Sequence, residues 1–135
     1  MTQQAAIRQS LANCKTIAVV GLSPKPHRDS FRVAKYMQDH GFRIVPINPN
    51  APEVLGERAY ASLTEAAQHV HIDMVNCFRN SEDIPPIAAE AIGIGAKSLW
   101  LQIGVAHDEA AAQATAAGLV VVQNRCLMVE HRQGK

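Results

Sequence analysis

Four basic side chains follow the first apolar segment of the chain closely, and their spacing suggests chemistry with an anion. Lys25, His27, Arg28 and Arg32 lie in or just after the segment LSPKPHRDS, which follows Gly21 directly. A helix is predicted to begin at the end of this loop, so its unpaired backbone N–H groups would lie beside the cations. Helix N-termini attract anions, and a guanidinium adds a forked donor for phosphate. The loop indicates an anion site, although a solvated basic loop would have the same composition.

The same loop lacks the residues of a common dinucleotide site. A GxGxxG fingerprint needs glycines where Ser23 and Pro24-Lys25-Pro26 stand, and an acidic residue after the second strand, where the chain has Pro46-Ile47-Asn48. A Walker A sequence, GxxxxGK[ST], is also missing. The missing glycines and the missing acidic residue both argue against the alternative that the protein is an NAD(P)-dependent oxidoreductase. An interaction domain that has lost its ligand site is a further alternative.

Five short apolar runs, separated by segments of helix length, are the elements that would position these groups. Such alternation predicts strands and helices in turn, with a parallel sheet buried on both faces. The predicted strands, first to fifth, are Thr16–Val20, Arg43–Ile47, Ile72–Val75, Ser98–Leu101 and Leu119–Val122.

The expected fold class is α/β, a Rossmann-like three-layer sandwich whose five-stranded parallel sheet has the order 3-2-1-4-5. Ligands bind such sheets at the carboxyl ends of the strands, where the strand order reverses. That point would lie between the first and fourth strands, flanked by Gly21 and by Gln102, Ile103 and Gly104.

Composition favours one globular domain covering residues 1–135. Of these residues, 47% are hydrophobic and 19% charged, and the formal net charge is +1. This balance of charge argues against general attraction to nucleic acid or membranes, so any anion site must be a local cluster of positive charge. The chain shows no apolar signal core and no run of membrane-spanning length, and its three cysteines form no CxxC pair. We expect a cytoplasmic protein in a reducing compartment.

Few other side chains suggest catalysis or metal binding. Cys77 ends the third strand region and Cys126 opens the last predicted helix, so either could form a mixed disulfide with a thiol ligand, Cys126 more readily. Free cysteines are more often inert core residues. His69 and His71 have no evident third metal ligand. No catalytic constellation is evident, so neither catalytic nor metal-ligating residues are predicted.

Six segments together resemble the small CoA-binding proteins whose fold matches the CoA-binding domain of the succinyl-CoA synthetase α subunit. They cover residues 15–132, and the similarity lies in their order and spacing. The segments are VVGLSPKPHRDS, RIVPINPN, LGERAYASL with Gly56 and Tyr60, DMVNCFR, GAKSLWLQIG and GLVVVQNRCLMVEHR. The resemblance does not extend to the second domain that bears that enzyme's phosphorylated histidine, so ligase chemistry is not implied.

The resemblance implies a coenzyme A site at the carboxyl ends of the strands. The turn after the first strand would face the pyrophosphate, and Arg28 would pair with a phosphate. The loop after the second strand, with Asn48, would wall the adenine and ribose. The loop after the third strand, with Arg79, would contact the nucleotide or its phosphates. The loop after the fourth strand, with Gln102, would border the pantetheine arm. With Lys25 from the basic loop, the predicted site residues are Gly21, Leu22, Ser23, Lys25, Arg28, Pro46, Asn48, Pro49, Phe78, Arg79, Gln102, Ile103 and Gly104.

The function that follows is binding of coenzyme A or an acyl-CoA without catalysis by this chain. The protein would be a sensor, a carrier or a partner subunit in acyl-CoA metabolism. The missing acid after the second strand removes a repulsion that a nearby phosphate would feel. Arg28, Arg43 and Arg79 could offset the ligand's charge locally, since forked guanidinium donors suit phosphate.

Overall fold

The computed structural model describes residues 1–134, in which strands and helices alternate as the apolar runs predict. The helices are α1 (Gln3–Asn13), α2 (Asp29–Asp39), α3 (Leu63–Ala67), α4 (Ile84–Gly93), α5 (Asp108–Ala116) and α6 (Leu127–Gln133). The strands are β1 (Thr16–Val20), β2 (Arg43–Ile47), β3 (Glu53–Val54), β4 (Glu57–Arg58), β5 (Met74–Cys77), β6 (Ser98–Leu101) and β7 (Val120–Val122). A 3₁₀ turn, Ser81–Asp83, precedes α4.

The main sheet is parallel and five-stranded, which confirms the predicted α/β, Rossmann-like class, but its strand order differs from the prediction. The order is β2-β1-β5-β6-β7. Because β5, β6 and β7 correspond to the third, fourth and fifth predicted strands, the observed order is 2-1-3-4-5, and the predicted 3-2-1-4-5 is wrong.

The position of α3 explains this order. Right-handed crossovers permit both arrangements, so the alternation of elements cannot distinguish them. Leu63 and Ala66 of α3 pack with α4 on one face of the sheet, whereas Val33 and Met37 of α2 pack on the other. A right-handed connection through α3 must therefore run past β1 and add β5 on its far side. The reversal point lies between β1 and β5, and Gly21 faces residues 78–79 instead of Gln102–Gly104.

Both faces of the sheet are apolar, which explains why its strands appear as continuous hydrophobic runs. In β1, Ile17 and Val19 pack with α1, α2 and α6, whereas Ala18 and Val20 pack with α3, α4 and α5. Trp100 is fully buried, and its indole N–H donates to the Arg125 carbonyl at 2.9 Å. Within residues 1–134, none of the helices combines the length and apolar character needed to span a membrane.

The hairpin of β3 and β4 was not predicted, because two-residue strands are too short to show a periodic pattern. Its two turn residues, Leu55 and Gly56, both have positive φ angles, 57° and 76°, as a tight two-residue hairpin turn requires. Tyr60 follows the hairpin and donates its N–H to the Pro46 carbonyl at 3.0 Å. Pro46 is tolerated inside β2 because β2 is an edge strand.

At the opposite end of the sheet, Asp73 joins the starts of three strands. Its Oδ2 accepts hydrogen bonds from the Lys15 and Thr16 backbone N–H groups at 2.9 and 3.0 Å. Burial alone would raise the pKa of this carboxyl, but the two backbone donors, with Lys97 and His71 nearby, outweigh burial and lower it. Asp73 therefore fastens the entry of β1 to β5 as a buried, ionised group.

Candidate functional site

A cavity of about 580 Å³ opens at the carboxyl ends of β1 and β2, between the starts of α3 and α4. We call it the strand-end cavity. Its position agrees with the general location of ligands in open parallel sheets. Of the predicted site residues, those that line it are Gly21, Ser23, Asn48, Pro49 and Arg79. The structure therefore brings residues from three separate loops into one concave surface.

The Gly21 turn is packed against the end of β5 too closely for any side chain. Gly21 has φ +84°, and a Cβ atom there would lie 2.6 Å from the Phe78 carbonyl oxygen and 3.2 Å from Arg79 Cδ. The Gly21 N–H donates to the Ile47 carbonyl at 3.1 Å. Glycine is required here by both the backbone conformation and the lack of space. The turn thus joins the ends of β1, β2 and β5, the point at which the sheet order reverses.

Hydrogen bonds tie this turn to the first turn of α2. The Ser23 N–H donates to the hydroxyl of Ser30, which is buried, at 3.0 Å, and the Ser23 hydroxyl accepts from the Lys25 N–H at 3.1 Å. The sequence predicts Ser23 in the pyrophosphate turn but does not indicate its bond to Ser30. Ser30 sets the distance between the turn and the N-terminus of α2.

Asn48 supports the cavity from the side of β2. Its Nδ2 donates to the Leu22 carbonyl at 2.9 Å, and its Oδ1 accepts from the Asn50 N–H at 2.8 Å. These bonds engage the amide in holding the two loops together, so Asn48 shapes the cavity wall. Leu22 is fully buried and Pro46 is buried within β2, and neither side chain lines the cavity.

Two cations in the loop before α2 remain available to a ligand. Lys25 and Arg28 are exposed, and within residues 1–134 neither side chain forms a hydrogen bond or an ion pair. Arg32 differs, because its guanidinium binds the Asp29 carboxylate and donates to the His27 carbonyl at 2.8 Å. Arg28 is also the N-cap residue of α2 and makes no side-chain cap bond. The free cations of the predicted basic cluster are therefore Lys25 and Arg28, which lie in the loop before α2 and do not line the strand-end cavity.

One wall of the strand-end cavity is acidic, which was not predicted from the sequence. Glu82, Asp83 and Glu90 line it. Asp83 Oδ2 lies 3.5 Å from Arg79 Nη2, and Glu90 Oε2 accepts from the Thr64 N–H and hydroxyl at 3.1 and 2.8 Å. The sequence does contain a signal for this acidic wall, since Glu82 and Asp83 follow the end of β5 within a few residues. The site is consequently polarised, with free cations near α2 and carboxylates along α4.

A second, smaller cavity of about 310 Å³ lies on the other side of the sheet, and we call it the α2–α6 cavity. It holds three of the predicted site residues, Phe78, Gln102 and Ile103. Gly104 lies nearby, and its N–H donates to Asn124 Oδ1 at 2.7 Å. Eight of the thirteen predicted site residues thus line one of two cavities separated by the strand ends, and contact of the predicted residues with a ligand stays a prediction.

The three cysteines differ sharply in accessibility. Burial raises the pKa of Cys77 to about 12. Burial also raises the pKa of Cys14 to about 11, with a smaller contribution from the nearby Asp73 charge. Cys126 is only partly buried and lines the α2–α6 cavity. Of the two cysteines singled out in the sequence, only Cys126 is placed to react with a ligand.

Comparisons with known proteins agree with this architecture. The sequence pattern described as the CoA binding domain matches residues 15–132. The uncharacterized protein YneT of Bacillus subtilis is 41% identical over 128 residues, which is 95% of this chain and 93% of YneT. A hypothetical protein from Pyrococcus horikoshii has a solved structure with a TM-score of 0.90 and 39% identity, matched over 98% of this chain and 92% of that one.

A more distant relative is an ADP-forming acetate–CoA ligase of Archaeoglobus fulgidus. It is 29% identical over 85 residues, which is 62% of this chain but only 12% of the ligase. The similarity is therefore to one part of a much longer enzyme. Because the CoA binding domain pattern and the YneT similarity both cover nearly the whole chain, this protein belongs to the CoA-binding domain family.

Proposed function

We propose that this protein binds coenzyme A or an acyl-CoA at the carboxyl ends of β1, β2 and β5. The observation that supports this most directly is the Gly21 turn, which is packed against the Phe78 backbone beside the N-terminus of α2. The missing side chain lets this turn pack against the end of β5 where the sheet order reverses, and the adjacent start of α2 favours the charge of a pyrophosphate. Membership of the CoA-binding domain family makes coenzyme A the expected pyrophosphate ligand.

The distribution of charge favours one orientation of the phosphates. Lys25 and Arg28, in the loop before α2, are cations whose side chains have no protein partner within residues 1–134. Glu82 and Glu90, on the far wall of the strand-end cavity, would repel a phosphate placed against α4. The phosphates of the ligand therefore lie over the α2 loop, and the strand-end cavity takes an uncharged part of the molecule.

We further propose that binding, and not catalysis, is the role of this chain. The cations and the turn suit retention of a charged ligand, and the cavity side chains of Ser23, Asn48 and Glu90 form hydrogen bonds that shape the loops. A protein of this kind would report on acyl-CoA levels, carry the ligand or deliver it to a partner in acyl-CoA metabolism.

Mass spectrometry under native conditions tests the proposal directly. The full-length protein, purified without added ligand, is expected to retain a species with the mass of coenzyme A or an acyl-CoA. Calorimetric titration with coenzyme A, and separately with NADP, then compares the two ligand classes. Saturable binding of coenzyme A that is tighter than that of NADP supports the proposal. Tighter binding of NADP would instead favour an oxidoreductase, and no binding of coenzyme A would refute the proposed function.

A further inference from the structure

The α2–α6 cavity combines a thiol, an amide and apolar walls beside the proposed phosphate site. Cys126 lines it together with Phe78 and Met128. Asp29 and Arg32, in the first turn of α2, also line it, so the cavity opens next to the loop that holds Lys25 and Arg28. A chain-like ligand whose phosphates lie over that loop can therefore extend its uncharged end toward Cys126.

Gln102 provides an independent sign that this cavity accepts a polar ligand. The side chain is more than nine-tenths buried, with 6% of its surface exposed. Its Oε1 accepts hydrogen bonds from Asn76 Nδ2 and the Leu127 N–H, both at 3.0 Å, which fixes the orientation of the amide. The Nε2 nitrogen is the other polar atom of the same amide. Within residues 1–134 that nitrogen donates to no atom, yet it is not sealed from solvent, and Gln102 lines the cavity.

Because this donor has no protein acceptor, a ligand carbonyl at this position could accept its hydrogen bond without displacing a protein partner. Ile103 stands at the mouth of the cavity with 68% of its surface exposed, which is unusual for a large apolar side chain. Beside the charged Asp29 and Arg32, the cavity thus offers the Gln102 donor, apolar side chains and a thiol. A pantetheine arm has the matching groups, namely amide carbonyls, methylene groups and a terminal sulfur.

We propose that the Cys126 thiol forms a reversible mixed disulfide with the pantetheine thiol of coenzyme A, with Gln102 Nε2 donating to an amide carbonyl of the arm. This inference rests on the proposed function, since the phosphates at the α2 loop bring the arm to the cavity. The other cysteines are unsuited, because Cys14 and Cys77 are buried, with 1% and 0% of their surface exposed, and burial raises the pKa of both.

The co-reactant is a disulfide of coenzyme A, and the step is a thiol–disulfide exchange. The Cys126 thiolate attacks one sulfur of that disulfide. A bond forms between Cys126 Sγ and this sulfur, while the original S–S bond breaks with its electron pair going to the other sulfur. The second coenzyme A leaves as a thiolate and takes up the proton that Cys126 lost. One disulfide replaces another, so no further oxidant is needed, and a small thiol reverses the reaction.

The test uses the full-length protein and two disulfides, coenzyme A disulfide and glutathione disulfide, at equal concentrations. Intact mass spectrometry without reductant follows the adduct, and peptide mapping locates it. We expect coenzyme A disulfide to modify Cys126 at least tenfold faster than glutathione disulfide, with a rate that saturates with concentration. Cys14 and Cys77 are internal controls that stay unmodified in the native protein and react after denaturation. Cys126→Ser is expected to remove the adduct.

Parallel titration of the wild-type protein with coenzyme A in reductant separates this inference from the proposed function. Reversible binding together with equal rates for the two disulfides, or with an adduct on another cysteine, would overturn the inference and leave the proposed function intact. Absence of reversible binding would refute both. Peptide mapping of the wild-type protein keeps the test decisive even if the Cys126→Ser variant fails to fold.

Discussion

The proposed role of Arg28 in phosphate binding follows from the protein partners that a neighbouring cation has and Arg28 lacks. Among the basic residues near α2, Arg32 is held by Asp29 and the His27 carbonyl, whereas Arg28 has no partner in the described chain. Forked guanidinium donors that bind phosphate contribute more than neutral hydrogen bonds. Arg28 is therefore the cation whose removal should matter most for a phosphorylated ligand.

Replacing Arg28 by alanine is expected to weaken coenzyme A binding roughly 5- to 150-fold, the range for lost charge-assisted hydrogen bonds. Arg79→Ala should weaken it less, because Arg79 is half exposed and already lies 3.5 Å from Asp83. Isothermal titration calorimetry measures both, and Arg8→Ala, an exposed substitution in α1, is the matched control. Unchanged affinity in both variants would argue against phosphate binding at this loop.

Substitutions at two glycines with the same φ angle distinguish the stability cost of backbone strain from the cost of a steric clash. Gly21 and Gly104 both have φ +84°, but only Gly21 has atoms within 4 Å of a built Cβ, the closest being the Phe78 carbonyl oxygen at 2.6 Å. Gly104→Ala should cost about 1–2 kcal/mol for the left-handed conformation alone. Gly21→Ala should cost a further ~1–3 kcal/mol for the forced contact. Urea denaturation compares the two variants, and equal losses would show that the β1–β5 contact is not tight.

At the level of the elements, the starts of the strands depend on Asp73. Its folded-state pKa is below the ordinary value of 3.8, so the unfolded chain takes up a proton at higher pH than the folded chain does. The stability that Asp73 contributes is therefore fully present above that ordinary value. It is lost as the pH falls through the folded-state pKa.

We expect the free energy of unfolding to decline below about pH 4 in the wild-type protein and to decline less in Asp73→Asn. The difference in free energy of unfolding between the two proteins should narrow as the pH falls, because protonation of Asp73 removes the charge that the Asp73→Asn variant already lacks. Urea titrations across a pH series measure this. Asp39→Asn, which removes an exposed partner of Lys35, serves as the control and should run parallel to the wild type. A constant gap at all pH values would exclude the charge of Asp73 as the cause.

At the scale of the whole molecule, the proposed site joins elements that are distant in the sequence. The ends of β1, β2 and β5 meet through the Gly21 N–H, the Asn48 amide and the contact with Phe78. A ligand seated there contacts several loops at once, so its binding should be coupled to global unfolding.

Coenzyme A at 100 times its Kd is expected to raise the free energy of unfolding by about 2.7 kcal/mol, as mass action requires for a ligand of the folded state. The midpoint of urea denaturation should rise with the logarithm of ligand concentration, and the slope of the transition should stay constant. The Arg28→Ala variant at the same concentration should show a smaller rise. A midpoint that does not move at concentrations shown to saturate by calorimetry would contradict two-state coupling at this site.

The amino-acid pattern alone determined the alternating elements and most of their bounds. β1, β2 and β6 begin and end where the apolar runs predict, because strands buried on both faces leave continuous hydrophobic segments. It also identified the glycine turn and the basic loop, since both lie within a dozen residues of each other. The segment similarity to CoA-binding proteins led to the family that the comparisons confirm.

Tertiary structure alone decided the strand order, because both candidate orders obey the same crossover rule and differ only in the face on which α3 packs. That order placed Gly21 against Phe78 and moved Gln102 to a separate cavity. It also decided which polar groups lack a protein partner, since Arg32, Asn48 and Gln102 each bind at least one backbone atom whose position depends on the folded chain. Local periodicity describes which residues are buried, but contacts between remote segments depend on how the layers are assembled.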